Sequence, residues 1–358
     1  MKRKKRGAVV SVSLVLLLLY ILLFPSEVSR ETVFTPEWSL FVDEAPTPGA
    51  GDDAGNLYGY RMGDVFGFFG MDGRIVSRES VVFEVTLGRS GYINFSRVPR
   101  NLVYKSPDGR IVESFPFIGY PNLDPHGDRI FFLSSDSTAV SALEPESGDA
   151  WRIEFSTMVT SLAGNGDRTA VGLLDGRILV YGPSGDLLHS RRVEGSRIPV
   201  VLGCDVESGG RAVAGIAGID PQRVFLLQER RDGEWTFAAR ELRSDLRREA
   251  FVRFDEAGRF VFFEVEDGIG VLETASLDLE LLPLDGSLQG MGQSQADGLV
   301  CLLDRTEERN RLTVYSVDGR LYAREPVPCG SEFLRQVGRR IVLGCGGRRL
   351  LRVDIGEM

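Results

Sequence analysis

The sequence predicts an all-β chain folded as a seven-bladed β-propeller, with eight blades as the alternative count, preceded by one N-terminal transmembrane helix. Three observations predict it. Glycine-marked turns recur about every 36 to 50 residues, each followed by a short apolar strand. Strands of five to seven residues rich in Val, Ile, Phe and Tyr succeed one another with a turn every eight to twelve residues. No stretch after the amino terminus keeps a 3.6-residue apolar period, so helices should be scarce.

The amino terminus comes first. Lys2, Arg3, Lys4, Lys5 and Arg6 form a basic tail, and residues 7–24 carry no charge. Eighteen helical residues span roughly 27 Å, enough to cross the hydrocarbon of a bilayer. The basic end should stay in the cytoplasm, with everything after Pro25 outside. No Ala-x-Ala site lies near residues 24–30, so an uncleaved signal anchor is expected ahead of a cleaved signal peptide. Either one exports the body. The expected location is therefore the cytoplasmic (inner) membrane, single-pass, with the bulk of the chain periplasmic.

Residues 25–57 read as a flexible stalk, because Ala45-Pro46-Thr47-Pro48-Gly49-Ala50-Gly51 is linker-like. Within it, Trp38-Ser39-Leu40-Phe41-Val42 is apolar enough to dock as a strand or to lie at a lipid surface. The propeller is expected over residues 58–358.

Two turn classes alternate along that domain. One joins the innermost strand of a blade to the second: Gly91, Gly127, Gly166, Gly209, Gly258, Gly298 and Gly338. The other joins the third strand to the outer one: Gly73, Gly109, Gly148, Gly185, Gly233 and Gly319, with a glycine-less turn near Ser276. Seven of each predict seven blades, at a period near 40 residues that suits four strands. The series opens with an outer turn and closes with an inner one. Strands within 331–345 are therefore expected to pair with strands within 64–79 and close the ring. Two further apolar segments, Leu57–Tyr60 and Leu350–Asp354, keep eight blades open.

The segment Ser147-Gly148-Asp149-Ala150-Trp151 resembles the tryptophan-docking repeat of quinoprotein-like propellers, and Trp235 after Gly233 is a weaker copy. The turns Asp124–Arg129 and Asp255–Arg259 resemble those of WD40-like and TolB-like propellers. The resemblance implies that Trp151 and Trp235 pack their rings against a neighbouring blade. Propellers host many unrelated activities, so it implies no particular chemistry.

Composition narrows the function classes. The formal net charge is −9, and removing the +5 of the tail leaves −14 on the body. An acidic body argues against nucleic acid. Cys204, Cys301, Cys329 and Cys345 lie in or beside apolar strands, where free thiols act as small hydrophobes, although an exported body also permits disulfides. No Cys-x-x-Cys, Cys-Cys or Gly-x-Ser-x-Gly occurs, which leaves no zinc, quinone-cofactor or serine-hydrolase signature.

His126 sits in a polar turn with Asp124 and Asp128, and His189 on an outer strand. Neither reads as a catalytic or metal-ligating group. Gly344-Cys345-Gly346-Gly347-Arg348 reads as a β-turn, since no helix follows to hold an anion. The loop 218–223 offers Asp220 and Arg223 as a recognition pair on one face, or as a local ion pair. Arg240–Arg248 is a mixed-charge loop between blades.

The expected function is non-catalytic, with no cofactor: a membrane-anchored scaffold that binds another protein of the cell envelope. An envelope hydrolase or lyase with a site at the channel mouth, and a small-ligand sensor, are the alternatives. An enzyme should gather three or more carboxylates, or histidines, at one cavity. A scaffold should expose an apolar patch on one face.

Overall fold

The computed structural model describes residues 32–43 and 57–357, apart from 117–118, 124–128, 144–149, 295–297, 308, 328–329 and 347. Every regular element among them is a β-strand. The expected transmembrane segment 7–24 and the linker 44–56 lie outside the described residues. Among the described residues no helix is long and apolar enough to cross a membrane.

The strands form eight antiparallel sheets, so the alternative count of eight blades holds and seven is corrected. Blade 1 spans residues 57–80, blade 2 84–115, blade 3 119–154 and blade 4 159–192. Blade 5 spans 198–242, blade 6 252–283 and blade 7 287–326. Blade 8 takes three strands from 331–357 and its outer strand, Thr32–Phe41, from the other end of the chain.

The miscount has a specific cause. Blade 8 has no outer turn, because its outer strand arrives from the amino terminus. Blade 1 shows no inner turn among the described residues, because its three described strands are the second, third and outer ones. Hydrogen bonds make that assignment. Val81 N–H donates to Asp64 O (2.8 Å) as Leu284 N–H donates to Asp267 O (3.0 Å), which marks Gly63-Asp64 as a second-to-third turn. Gly70 N–H donates to Arg74 O (2.9 Å) as Ser106 N–H donates to Arg110 O (2.9 Å), which marks the Gly73 turn as third-to-outer. Seven turns of each class therefore belong to eight blades.

Ring closure is corrected with the count. Strands 331–345 do not pair with 64–79. They pair within blade 8, whose third strand, Arg349–Glu357, takes Thr32–Phe41 as its antiparallel partner. Leu350–Asp354 and Leu57–Tyr60, left over in a seven-bladed count, are the strands that make the eighth blade. Residues 32–41 are thus part of the propeller and not of a stalk. Their apolar side chains make that placement favourable: Leu40 and Trp38 pack on a cluster of buried Val42, Tyr60, Phe69, Ile75, Val342 and Leu350.

Packing between blades follows the two-residue period of strands. On the third strand of blade 5, Val224 and Leu226 turn toward blade 6, and Phe225 and Leu227 toward blade 4. Each blade is therefore apolar on both faces and is covered only when the ring is complete. Blades 1 and 2 meet through Phe66, Phe68 and Tyr92; the rings of Phe66 and Tyr92 stand edge to face with centroids 5.0 Å apart.

Candidate functional site

Antiparallel order sorts the loops onto two faces. Inner-to-second and third-to-outer turns share one face, so both glycine-marked classes lie together there. Second-to-third turns and the linkers between blades share the other. We call these the glycine-turn face and the linker face.

Exposed apolar side chains in loops and at the starts of inner strands fall on the linker face, whereas Ile111, Leu187, Leu279 and Leu321 begin outer strands at the other end. Those of the linker face are Val82 and Phe83 in the first linker, Val98 in the blade 2 turn, Tyr120, Met158, Leu174 and Ile198. These positions run through consecutive blades 2 to 5. The backbone holds them in place: Leu174 N–H donates to Met158 O (2.9 Å), and Val82 N–H to Asn94 Oδ1 (2.9 Å). Among the described residues, loops of the glycine-turn face expose no large apolar side chain. The remaining exposed ones on outer strands, such as Ile111, Leu187, Leu281 and Leu321, are spread around the rim, where isolated apolar residues are ordinary.

Asp220 and Arg223 also lie at this face, but they do not form a pair. Asp220 binds Arg197 (Nε to Oδ2, 3.0 Å), both largely exposed, while Arg223 binds Glu241 (3.2 Å) on the outer strand. Asp220 takes a left-handed backbone conformation (φ 60°), held by Arg197 N–H donating to Asp220 O at 2.9 Å. In the glycine-rich run, Gly344 and Cys345 end a strand, and Gly346 and Arg348 lie beyond it on this face. The Arg348 guanidinium reaches Asp64 of blade 1 (2.9 Å) and Asp43 (3.3 Å), joining the two ends of the ring.

The tryptophans divide. Trp151, half-buried, donates its indole N–H to Pro183 O (3.2 Å) on the next blade and covers the Gly185 turn. Trp38 does the same to blade 1, through Met71 O at 3.3 Å and over Gly73. Trp235 faces the other way and stacks on His189 of the preceding blade, with centroids 5.2 Å apart and planes 19° from parallel. Trp38 is the docking residue that sequence reasoning missed, because no Ser/Thr-Gly turn precedes it as Ser147-Gly148 precedes Trp151.

His189 has a buried Nε2 with no hydrogen-bond partner, and burial followed by the Arg191 charge pushes its pKa below the usual histidine value. His126 and Cys329 lie outside the described residues. Cys204 and Cys301 are free and buried; burial pushes the Cys204 thiol up to about 12 and the Cys301 thiol further. Cys345 is disulfide-bonded, one of the two states the sequence left open.

A cavity of about 740 Å³ opens in the centre of the ring, walled mainly by inner strands of blades 6 to 8. Asp255, Glu256 and Glu264 line it, which by number meets the mark set for an enzyme. The bonds of two of them point elsewhere. Both Glu264 oxygens are held by Arg248 (2.6 and 2.9 Å), and Asp255 Oδ1 accepts the Arg259 and Phe260 N–H groups of its own turn. Among the described residues no histidine lines the cavity. Two carboxylates so occupied are poorly placed to exchange protons with a substrate.

The architecture matches that of known proteins. A β-propeller protein family model matches residues 1–358. The chain belongs to that β-propeller protein family. An uncharacterized protein of Treponema pallidum (strain Nichols) is 24% identical over 322 residues, covering 87% of this chain and 85% of that protein. The crystal structure of BamB from Moraxella catarrhalis superposes with a TM-score of 0.61 at 14% identity, covering 90% of this chain and all of that one. Dihydro-heme d1 dehydrogenase NirN, in complex with DHE, gives 0.52 at 12% identity, covering 72% of this chain and 61% of that one. At such identities the likeness is one of fold.

Proposed function

We propose that this propeller is a membrane-anchored scaffold of the bacterial cell envelope, which binds another envelope protein through its linker face. The observation that carries the reading is the one-sided distribution of exposed apolar loop residues over blades 2 to 5. Apolar side chains grouped on one face, with charged pairs such as Arg197–Asp220 beside them, are the composition of a protein-binding surface. The expected anchor supports the same direction. Thr32 begins an outer strand, which starts at the glycine-turn face, so a chain rising from the membrane would present the linker face away from it.

Fold likeness does not choose between functions, since the neighbours include both BamB and a dehydrogenase. An envelope hydrolase or lyase is the second reading, supported by the three carboxylates of the cavity. The Arg248 and turn bonds of two of them rank it second.

Photo-crosslinking in cells tests the scaffold reading. A crosslinking side chain at Phe83 or Met158 should capture a discrete envelope protein, and one at Asn165 or Asp232 on the glycine-turn face should not. Capture only from the glycine-turn face would overturn the reading. Protease added to spheroplasts should digest the propeller; full protection would overturn the topology.

A further inference from the structure

The central cavity holds a feature that a scaffold does not need. Arg253, on the inner strand of blade 6, and Arg335, on the inner strand of blade 8, both line it. Neither has an ion-pair partner among the described residues, in a body that is otherwise acidic and full of paired arginines. The Arg335 Nε is buried and makes no hydrogen bond. Each guanidinium rests instead on a ring: Arg335 is 5.8 Å from the centroid of Tyr58, and Arg253 is 5.5 Å from that of Phe251.

A guanidinium withdrawn from water without an anion is costly, and two neighbouring ones repel. Burial, and then the Arg253 charge, lower the pKa of Arg335, which fits two cations sharing one enclosure. Two of the three wall carboxylates are engaged elsewhere. Glu264 is neutralised by Arg248, and Asp255 by its turn and by Arg259 at 4.0 Å. The rest of the wall is mixed: Leu288, Met291 and Leu334 supply apolar surface, while Arg89, Gln289 and Gln336 add polar groups.

We infer that the cavity binds an organic carboxylate, its anionic head between Arg253 and Arg335 and its apolar body against Met291 and Leu334. Arginine suits this role because its planar fork binds a carboxylate through two parallel hydrogen bonds. The cavity volume is that of a small-molecule site. The carboxylate has two possible sources, a free acid or the carboxyl terminus of a peptide. No bond is made or broken, and the site does not depend on the linker-face reading.

Isothermal titration of the purified propeller tests it, with sodium hexanoate for a free acid and a tetrapeptide ending in leucine for a peptide. The peptide is used both as free acid and as carboxyl-terminal amide. Saturable binding of hexanoate or of the free-acid peptide is expected, and which of them binds identifies the source. Arg335→Gln and Arg253→Gln should each weaken binding at least roughly tenfold, the scale of a lost charge-assisted hydrogen bond. The unliganded variants should melt no lower than the parent, because each removes an uncompensated charge; this separates binding from folding. Absence of binding by both probes would overturn the inference. So would equal affinity for the amidated peptide, or unchanged affinity in the double variant.

Discussion

Trp38 donates its indole N–H to the carbonyl oxygen of Met71, and so ties the strand that completes blade 8 to the outer turn of blade 1. The contact joins residues 33 positions apart. It closes a ring whose other seams are made by consecutive blades. Trp151 makes the same contact with Pro183 inside the ring, so one device serves both an ordinary seam and the closing one.

Trp38→Ala should therefore destabilise the propeller by about 2 kcal/mol, the lower part of the range for large aromatic truncation, because the ring is half-buried. Removing residues 1–43 should cost far more, since it exposes the edge of the Arg349–Glu357 strand. Urea denaturation followed by fluorescence would measure both. A deletion variant as stable as the parent would refute this closure.

Gly185 has a φ of +83°, and a Cβ there would lie 2.8 Å from the Trp151 ring. Gly185→Ala should cost roughly 1–3 kcal/mol, from left-handed strain and displacement of the indole. Gly233 has the same conformation, but a Cβ there would meet open space among the described residues. Gly233→Ala should therefore carry the strain alone and cost less. Paired denaturation curves give the comparison.

His189 contributes a pH dependence of defined sign. Its folded pKa lies below its ordinary value near 6.5, so protonation favours the unfolded chain. The stability tied to neutral His189 is complete above about 6.5 and is lost as pH falls through the folded value. The melting temperature should fall between pH 7 and pH 5, less steeply in His189→Gln. Identical slopes would show that the stack on Trp235 does not govern protonation.

Buried thiols should be inert. With the Cys204 thiol pushed up to about 12, almost no thiolate exists near neutrality. Iodoacetamide at pH 8 should leave Cys204 and Cys301 unlabelled in the native protein. After unfolding without reductant both should be alkylated and Cys345 should not, as peptide mass spectrometry would report.

Met158→Asp combined with Leu174→Asp should abolish capture of a linker-face partner while changing stability by no more than about 0.5 kcal/mol, because both side chains are nearly half exposed. Undiminished capture by the folded double variant would remove that pair from the proposed binding surface.

Much of the fold was legible in the residues. Turn chemistry is local: the glycines of Asp108-Gly109, Asp175-Gly176 and Asp318-Gly319 take the left-handed conformation of a tight turn, so much of the hairpin order can be read from such pairs. Ring closure was not legible in this way, because the strand Thr32–Phe41 finds its partner Arg349–Glu357 only at the far end of the chain, after the intervening blades. The binding face was still less visible. Leu174 and Ile178 are alike as residues, yet one is exposed on a turn and the other fully buried in the adjoining strand.

The sequence by itself determined the all-β architecture, the four-stranded repeat and the acidic body, since each rests on local periodicity, turn residues or a sum of charges. The tertiary structure decided the eighth blade, the face that carries the exposed apolar residues, and the convergence of Arg253 and Arg335 on one cavity. Those properties depend on which strands become neighbours in space. That is settled by burying two apolar faces on every blade at once, which only a closed ring can do.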